Sequence, residues 1–375
     1  MGSKGNQEVF DAVAADQHIA LHNSTQASNV HAYVVGTAPS HNNDLFFLRA
    51  DGQTPYYPAD PGQDGGPLKQ DCAIKLGEPG STTQVTIPYL VSGRIYFAIG
   101  KLQFSLSAGP QPVYPSPTVA KNHDVRWGFA EFTWTAASAF ANLSNVDLVG
   151  LPIGLALQST GGDTQKTPGL PAGGVAAVCK KLENVGSDGG DWAKLVQKTE
   201  DGKYLRAVAP DKAMAADGAL FKGYYGTYVD RVWGKYKDED LTLHVPNYGA
   251  LTGRVANGVL TVTGGGGGPE SFGQPTTAQI FKNDDGPFAN SGSAKRLAII
   301  PVLCRGFVRS TLLESNELPD PEGPKAYYNN GVTDHYAKIV HNESGKTYTF
   351  PYDDDQAGVV SSSTPQLLTF TVGGQ

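Results

Sequence analysis

Between Trp127 and Leu157 the chain reads WGFAEFTWTAASAFANLSNVDLVGLPIGLAL, a strand-like stretch whose only charged residues are Glu131 and Asp147. In an extended strand alternate side chains share a face. Glu131, Thr133 and Thr135 then point one way, and Phe132 and Trp134 the other. The same alternation sets Asp147 with Asn145, and Val146 with Leu148. An unpartnered carboxylate is costly to desolvate. The apolar sides therefore pack into a core, and the two carboxylates face a cleft. Phe129, Phe132 and Trp134 are expected to supply apolar surroundings for Glu131.

This segment belongs to a series. From about residue 18 the runs HIALHN, VHAYVVG, NDLFFLRA, QVTIPYL, GRIYFAIG, AEFTW and VDLVGLPIGLAL alternate with clusters of Pro, Gly, Asn and Asp. That spacing predicts a sandwich or barrel. The composition changes at GGDTQKTPGLPAGG. Helical patterns follow, with Val175, Val178, Cys179 and Leu182 on one face, then an aromatic stripe of Phe221, Tyr225, Tyr228, Val232 and Tyr236 that reads as core packing. Strands are expected again at LTLHV, GRVANGVLTVTG and RLAIIPVL, and finally at HYAKIVHN, KTYTFPYDDD and QLLTFTVGG. The expected fold is mainly β with an inserted α/β part. Residues 15–160 join 330–375 in one β domain, and 161–329 form a smaller mixed domain.

Aromatic residues make up 10% of the chain and charged residues 17%, a mix that favours a turn-rich, strand-rich globular protein. The net charge is -7 and no basic cluster occurs, so a nucleic-acid partner has no electrostatic footprint. No apolar run is long enough to span a bilayer, and MGSKGNQEVFDAVAADQ lacks the apolar core of a signal peptide. No membrane partner is expected. An extracellular or cell-wall setting is still preferred, with a leader removed or the usual route not used. Cys72, Cys179 and Cys304 permit at most one disulfide, so the core and not a covalent framework holds the fold. Asn23, Asn142 and Asn342 begin glycosylation sequons.

Other chemistries find little support. HIALH, with His18 and His22, lacks the glutamate of a zinc hydrolase, and no metal is expected. His335 and His341 would share a strand face, as structural or cleft-lining groups. No GxSxG is present, and GGGGGP lacks the strand–turn–helix context of a phosphate loop. Cys304 reads as a buried small hydrophobe. Asp353, Asp354 and Asp355 read either as a solvated turn or as the acidic rim of a cleft.

Paired Asp and Glu side chains are what glycoside hydrolysis uses, one as acid and one as base or nucleophile. Neighbouring strands lie about 4.8 Å apart, so such a pair readily reaches the roughly 6.5–9.5 Å at which inverting enzymes admit a water. Composition alone favours a plainer reading, in which Glu131 and Asp147 lie on a solvated strand face or pair with Arg94 or Arg126.

Longer motifs reverse that preference. DGQTPYYP, CAIKLGEPGSTTQVTIPYLVSGRIYFAIGKLQF, WGFAEFTW, LSNVDLVGLPIGLAL, YVDRVWGKY, GPFANSGSAKRLAIIPVL, FVRSTLL, HYAKIVH and FPYDDD together resemble glycoside hydrolase family 64, the β-1,3-glucanases with a thaumatin-like fold, in its fungal members. The resemblance implies a thaumatin-like β-sandwich or barrel beside a mixed helical domain, the two flanking a wide cleft. It implies Glu131 as general acid, Asp147 as general base, and an inverting, endo-acting hydrolase that releases short laminari-oligosaccharides such as the pentaose. Arg94, at the GR-aromatic element, lines the cleft. Thr133, Thr135 and Asn145 are expected to hydrogen-bond sugar, and Phe140 to stack on it. The substrate implied is a laminarin- or curdlan-like glucan, hydrolysed by a monomer without a cofactor. The chain departs from the family pattern where Asn is usual at Thr135 and Cys at Ala130, and it lacks a further Cys near Lys282. These changes remove a cross-link and alter subsite affinity, but spare the chemistry. The rival reading is a thaumatin-like glucan-binding or defence protein without turnover. Scarce cysteines and retention of both carboxylates argue against it.

Overall fold

The structure is a computed structural model that describes residues 16–374 except 117, 119 and 187. Residue 15, the expected start of the β domain, lies outside the described residues. Two sheets enclose the first core. The smaller runs in the order Thr164–Thr167, Ile153–Ser159, Pro365–Val372, Gln17–Asn23 and Thr82–Ile87. The larger runs Val359–Ser362, Ala139–Ser144, Arg126–Trp134, Leu90–Ile99, Val30–Ala38, Asp44–Leu48 and Pro55–Tyr56, with Ile74–Lys75 paired to Val30–Ala38. Gln17–Asn23 and Pro365–Val372 pair in parallel, so both ends of the described chain meet in one sheet.

Alternation decides what each face buries. Phe132 and Trp134 point between the sheets, where they join Ile19, Val34, Phe97 and Phe370. Trp127 and Phe129, two residues apart on the same strand, turn to the outer face and pack with Tyr96, Phe47 and Leu148. Each large apolar side chain so buried contributes about 1.5–3 kcal/mol. Glu131 follows Phe129 on that outer face, where apolar cover gives way to a pocket.

A third core lies on the helical side. The helices Gly174–Glu183, Gly226–Asp238, Ala294–Val308 and His335–Ser344 contribute Val178, Tyr228, Leu303 and Tyr336 to one cluster. The sheet Glu270–Phe272, Val259–Thr263, Gly249–Ala256, Leu241–Val245 and Glu317–Leu318 packs into the same cluster. The expected aromatic stripe is buried there throughout.

Three expected strands are absent. RLAIIPVL lies in the helix Ala294–Val308, which starts where the Ser293 hydroxyl accepts from the Arg296 N–H and which contains Pro301. Ile299, Ile300, Val302, Leu303 and Cys304 are all buried, so the segment shows no one-sided helical stripe. HYAKIVHN forms the helix His335–Ser344, capped by Asp334 accepting from the Ala337 N–H. KTYTFPYDDD contributes only an isolated bridge, Ser144 to Tyr348. Thr164–Thr167 is an edge strand of the sandwich. Tyr336, Val340 and Phe350 pack in the helical core, and Val359–Ser362 pairs with Ala139–Ser144. Cys72, Cys179 and Cys304 are buried free thiols. Among the described residues no helix is long and apolar enough to cross a membrane.

Candidate active site

Glu131 is placed by strand register. It lies opposite Arg94 on one neighbouring strand and opposite Asn142 on the other. The hairpin that brings Asn142 there turns at Thr135, whose hydroxyl accepts from the Ala137 and Ser138 N–H groups. Arg94 donates to Glu131 Oε1 from Nε at 3.1 Å and lies within ion-pair distance through Nη2 at 3.0 Å. Among the described residues Oε2 takes no hydrogen bond. The guanidinium sits over two rings, 4.6 Å from the centre of Tyr114 and 4.8 Å from that of Phe129, and Nη1 donates to the Tyr96 hydroxyl at 3.4 Å. Burial by itself would favour a neutral Arg94, but Tyr96 and Glu131 outweigh it and hold the group more firmly charged than usual.

Asp147 reaches the same place by another route. The next residues, Leu148 and Val149, pair with Val208 and Ala207, and the Asp147 carbonyl accepts from the Ala209 N–H at 3.0 Å. These bonds bring up the helix Pro210–Ala216, which opens on a proline that needs no N–H partner there. Its Lys212 Nζ lies 3.3 Å from Asp147 Oδ1 and 2.9 Å from Asp211 Oδ2. Burial pushes the Asp211 carboxyl up from its ordinary pKa. Lys212 opposes that shift, and the charge of Asp147 adds to it.

Glu131, Asp147 and Arg94 line one pocket of about 470 Å³, with Asn142 beside them. The helical part supplies the facing wall, including Asp211, Lys212, Lys282, Asp284, Asp334, Tyr348 and the rings of Phe281 and Phe350. The pocket is therefore a joint product of both parts of the fold. Burial raises Asp334 to about 7, against the pull of the Ala337 and Tyr336 N–H groups and with Asp353 and Asp211 adding to it. Tyr348 donates to Asp354 at 2.8 Å.

The other expected contacts are spread out. Thr133 and Phe140 oppose each other in register, one step beyond Glu131 and Asn142. The Thr133 hydroxyl accepts from the Ser92 N–H at 3.3 Å, Phe140 is 37% exposed, and Thr135 is engaged in the hairpin turn. None of the three lines the pocket. Asn145 is turned elsewhere. Its side-chain amide donates to the Thr347 hydroxyl at 2.9 Å, and its backbone carbonyl accepts from the Tyr336 hydroxyl at 2.6 Å. Phe132 and Trp134 point into the inner core and give Glu131 no apolar cover, which comes from Phe129 on its own face. Asp353 is neither a solvated turn nor a rim, because it is buried against Arg309. His335 packs edge-on against Trp192, and His341 lies 2.8 Å from Asp353. Among the described residues no group of His, Cys, Asp and Glu is arranged to hold a metal.

Asp211, Lys212 and Tyr348 are pocket residues that sequence reasoning did not single out, and Asn142 was noted only as a glycosylation sequon. Asn142 was within reach, because a four-residue turn after Trp134 puts it beside Glu131. Asp211 and Lys212 lie far from Asp147 in the chain, and no local pattern connects them.

Residues 16–372 match the model of glycoside hydrolase family 64, described as β-1,3-glucanase. A curated glucan endo-1,3-β-glucosidase from Cellulosimicrobium cellulans is 27% identical over 304 residues, covering 75% of this chain and 52% of that protein. The chain thus spans about half the length of the curated relatives it matches. The crystal structure of a laminaripentaose-producing β-1,3-glucanase in complex with laminaritetraose superposes with a TM-score of 0.84 at 30% identity, over 96% of this chain and 99% of that one. A β-1,3-glucanase domain from Clostridium beijerinckii, 18% identical, shares the fold with a TM-score of 0.74 over 95% of this chain and 98% of that one. Sequence and fold match along nearly the whole length, and the chain belongs to glycoside hydrolase family 64, the β-1,3-glucanase family.

Proposed function

We propose that this protein is an endo-acting β-1,3-glucan hydrolase that inverts anomeric configuration, with Glu131 as general acid and Asp147 as general base. The observation that carries the reading is that these two carboxylates, from separate segments, line one pocket, with Arg94 against Oε1 of Glu131 and Lys212 against Oδ1 of Asp147. Arg94 occupies Oε1 of Glu131, so Oε2 is the atom that delivers a proton to the leaving glycosidic oxygen. Lys212 lies beside Oδ1 of Asp147, so Oδ2 is the atom that takes a proton from water. Inversion needs the carboxyl groups on opposite sides of the sugar with a water beside the base. The reaction uses water and protein groups only. We read the fold as thaumatin-like and the pocket as the deepest part of a cleft between its two parts.

Thr133 and the exposed face of Phe140 extend the same sheet face outward from the pocket, which suits further sugar units of a polymer. The laminaripentaose-producing relative makes the pentaose the first product to look for. The substrate, a neutral polymer outside cells or in walls, suits a monomer acting in that setting.

The test is reducing-sugar release from laminarin or curdlan, with Glu131→Gln and Asp147→Asn as variants. Each variant should lose roughly 10²–10⁴-fold in rate. NMR of the first product should show the α-anomer. A β-anomer, or a variant with full activity, overturns the assigned roles. Binding of glucan by the unaltered protein without sugar release would favour a non-catalytic glucan-binding protein.

A further inference from the structure

We propose that Asp211 and Lys212 are a positioning pair for Asp147, fixing one carboxylate oxygen and setting the charge against which Asp147 takes up a proton. The inference rests on Asp147 being the base. Lys212 Nζ stands between two carboxylates, 2.9 Å from Asp211 and 3.3 Å from Asp147. Both acids are mostly covered, with 18% and 15% of their side chains exposed. An exposed lysine pair contributes at most about 1 kcal/mol, but here one ammonium serves two mostly covered carboxylates, so losing any member changes the field at the others. The backbone bond from Ala209 N–H to the Asp147 carbonyl fixes the spacing. The pair sits on the helical side and Asp147 on a segment leaving the sandwich. The base is therefore positioned only where the two parts meet.

Other charged groups also face this point. Arg94 and Glu131 approach from the sandwich, and Lys282 and Asp284 from the far wall. The helix His335–Ser344 presents Tyr336, with Asp334 at its cap. None of these is itself replaced in the Asp211 and Lys212 variants, and although Asp334 also feels the charge of Asp211, the opposite directions of the two variants' responses are the signature of the pair.

The experiment is the pH profile of kcat/KM on laminarin, whose acid limb reports loss of the ionised base. Lys212→Met removes a positive charge beside Asp147 and should move the acid limb up by roughly one pH unit, with roughly 10²-fold lower kcat from the misplaced carboxylate. Asp211→Asn leaves the ammonium to Asp147 alone and should move the limb down. Lys212→Arg should keep the limb near its original position. If Lys212→Met does not fold, the profiles of Asp211→Asn and Lys212→Arg decide the matter. An inactive Asp147→Asn combined with unmoved limbs in Lys212→Met and Asp211→Asn, or in Asp211→Asn alone where Lys212→Met does not fold, overturns this inference and leaves the base assignment standing. An active Asp147→Asn overturns the base assignment itself.

Discussion

Arg309 donates to Asp353 across 2.7 Å, and both side chains are sealed from water. Asp353 also accepts from the Thr349 N–H at 3.0 Å and from its hydroxyl at 2.6 Å, and lies 2.8 Å from His341 Nε2. Thr349 is a wall residue of the pocket, so this buried pair anchors the segment that faces Glu131. Removing one member strands the other charge in the interior. Asp353→Ala should destabilise the protein by about 3–5 kcal/mol, measured as a shift in urea midpoint with unchanged slope. A loss below about 1 kcal/mol would show that Asp355, which also pairs with Arg309, carries the anchor alone.

Asp334 gives stability a pH dependence. Its carboxyl is raised to about 7 chiefly by burial, so the native state holds this proton more tightly than the unfolded chain. Between the ordinary carboxylate range and about 7 the native state binds more protons, and its contribution to stability falls as pH rises through that window. Asp334→Asn keeps an acceptor for the Ala337 N–H at the helix cap and has no proton to lose. The variant should flatten this part of the pH profile and be more stable than the parent at about pH 8. Denaturation midpoints at about pH 5 and pH 8 check it, and equal pH slopes in both proteins would rule the mechanism out.

The two carboxylates differ in how far they could be read in advance. Glu131 was legible because aromatic and polar residues alternate around it, and its neighbour Phe132 has the inward position that alternation requires. The helix Ala294–Val308 was not, because burial on nearly every side removes the one-sided stripe that marks a helix. The helix His335–Ser344 did carry a signal, with Asp334 as cap and Tyr336, Ala337, Ile339 and Val340 at helical spacing. Its β-branched residues masked that pattern. Asn145 illustrates a different limit. Strand alternation set it beside Asp147, but the chain leaves regular strand geometry after Ser144, and the side chain turns to Thr347. Lys212 could not be found from local pattern, since its meeting with Asp147 depends on how two parts of the fold dock.

Tyr114 lies with its ring centre 4.6 Å from the Arg94 guanidinium and is 37% exposed. Its ring helps hold the guanidinium flat so that both contacts fall on Glu131 Oε1. A cation over an exposed ring contributes about 0.5–1 kcal/mol, so Tyr114→Ala should lower kcat/KM several-fold while leaving the thermal midpoint almost unchanged. Tyr114→Phe keeps the ring face and should behave like the parent. Equal losses in both variants would assign the effect to the hydroxyl instead of the ring.

Gly93 lies opposite Phe132 in strand register, and a Cβ built at Gly93 would come within 2.6 Å of the Phe132 ring. The constraint is steric, since Gly93 is not among the positive-φ residues. Phe132 is buried between the sheets against Phe370, with ring centres 6.4 Å apart, and has no free space to withdraw into. Gly93→Ala should therefore cost about 1–3 kcal/mol. Gly93 precedes Arg94 and Phe132 follows Glu131, so the same displacement should disturb the Arg94–Glu131 contact and lower glucan hydrolysis beyond what instability explains. Gly234 is the control. It is an exposed glycine inside the helix Gly226–Asp238, and no atom lies within 4 Å of an added Cβ. Gly234→Ala should stabilise the protein by up to about 1 kcal/mol through helix propensity and leave activity unchanged. If Gly93→Ala proves as benign as Gly234→Ala, the close fit of the Leu90–Ile99 strand against Phe132 does not set the position of Glu131.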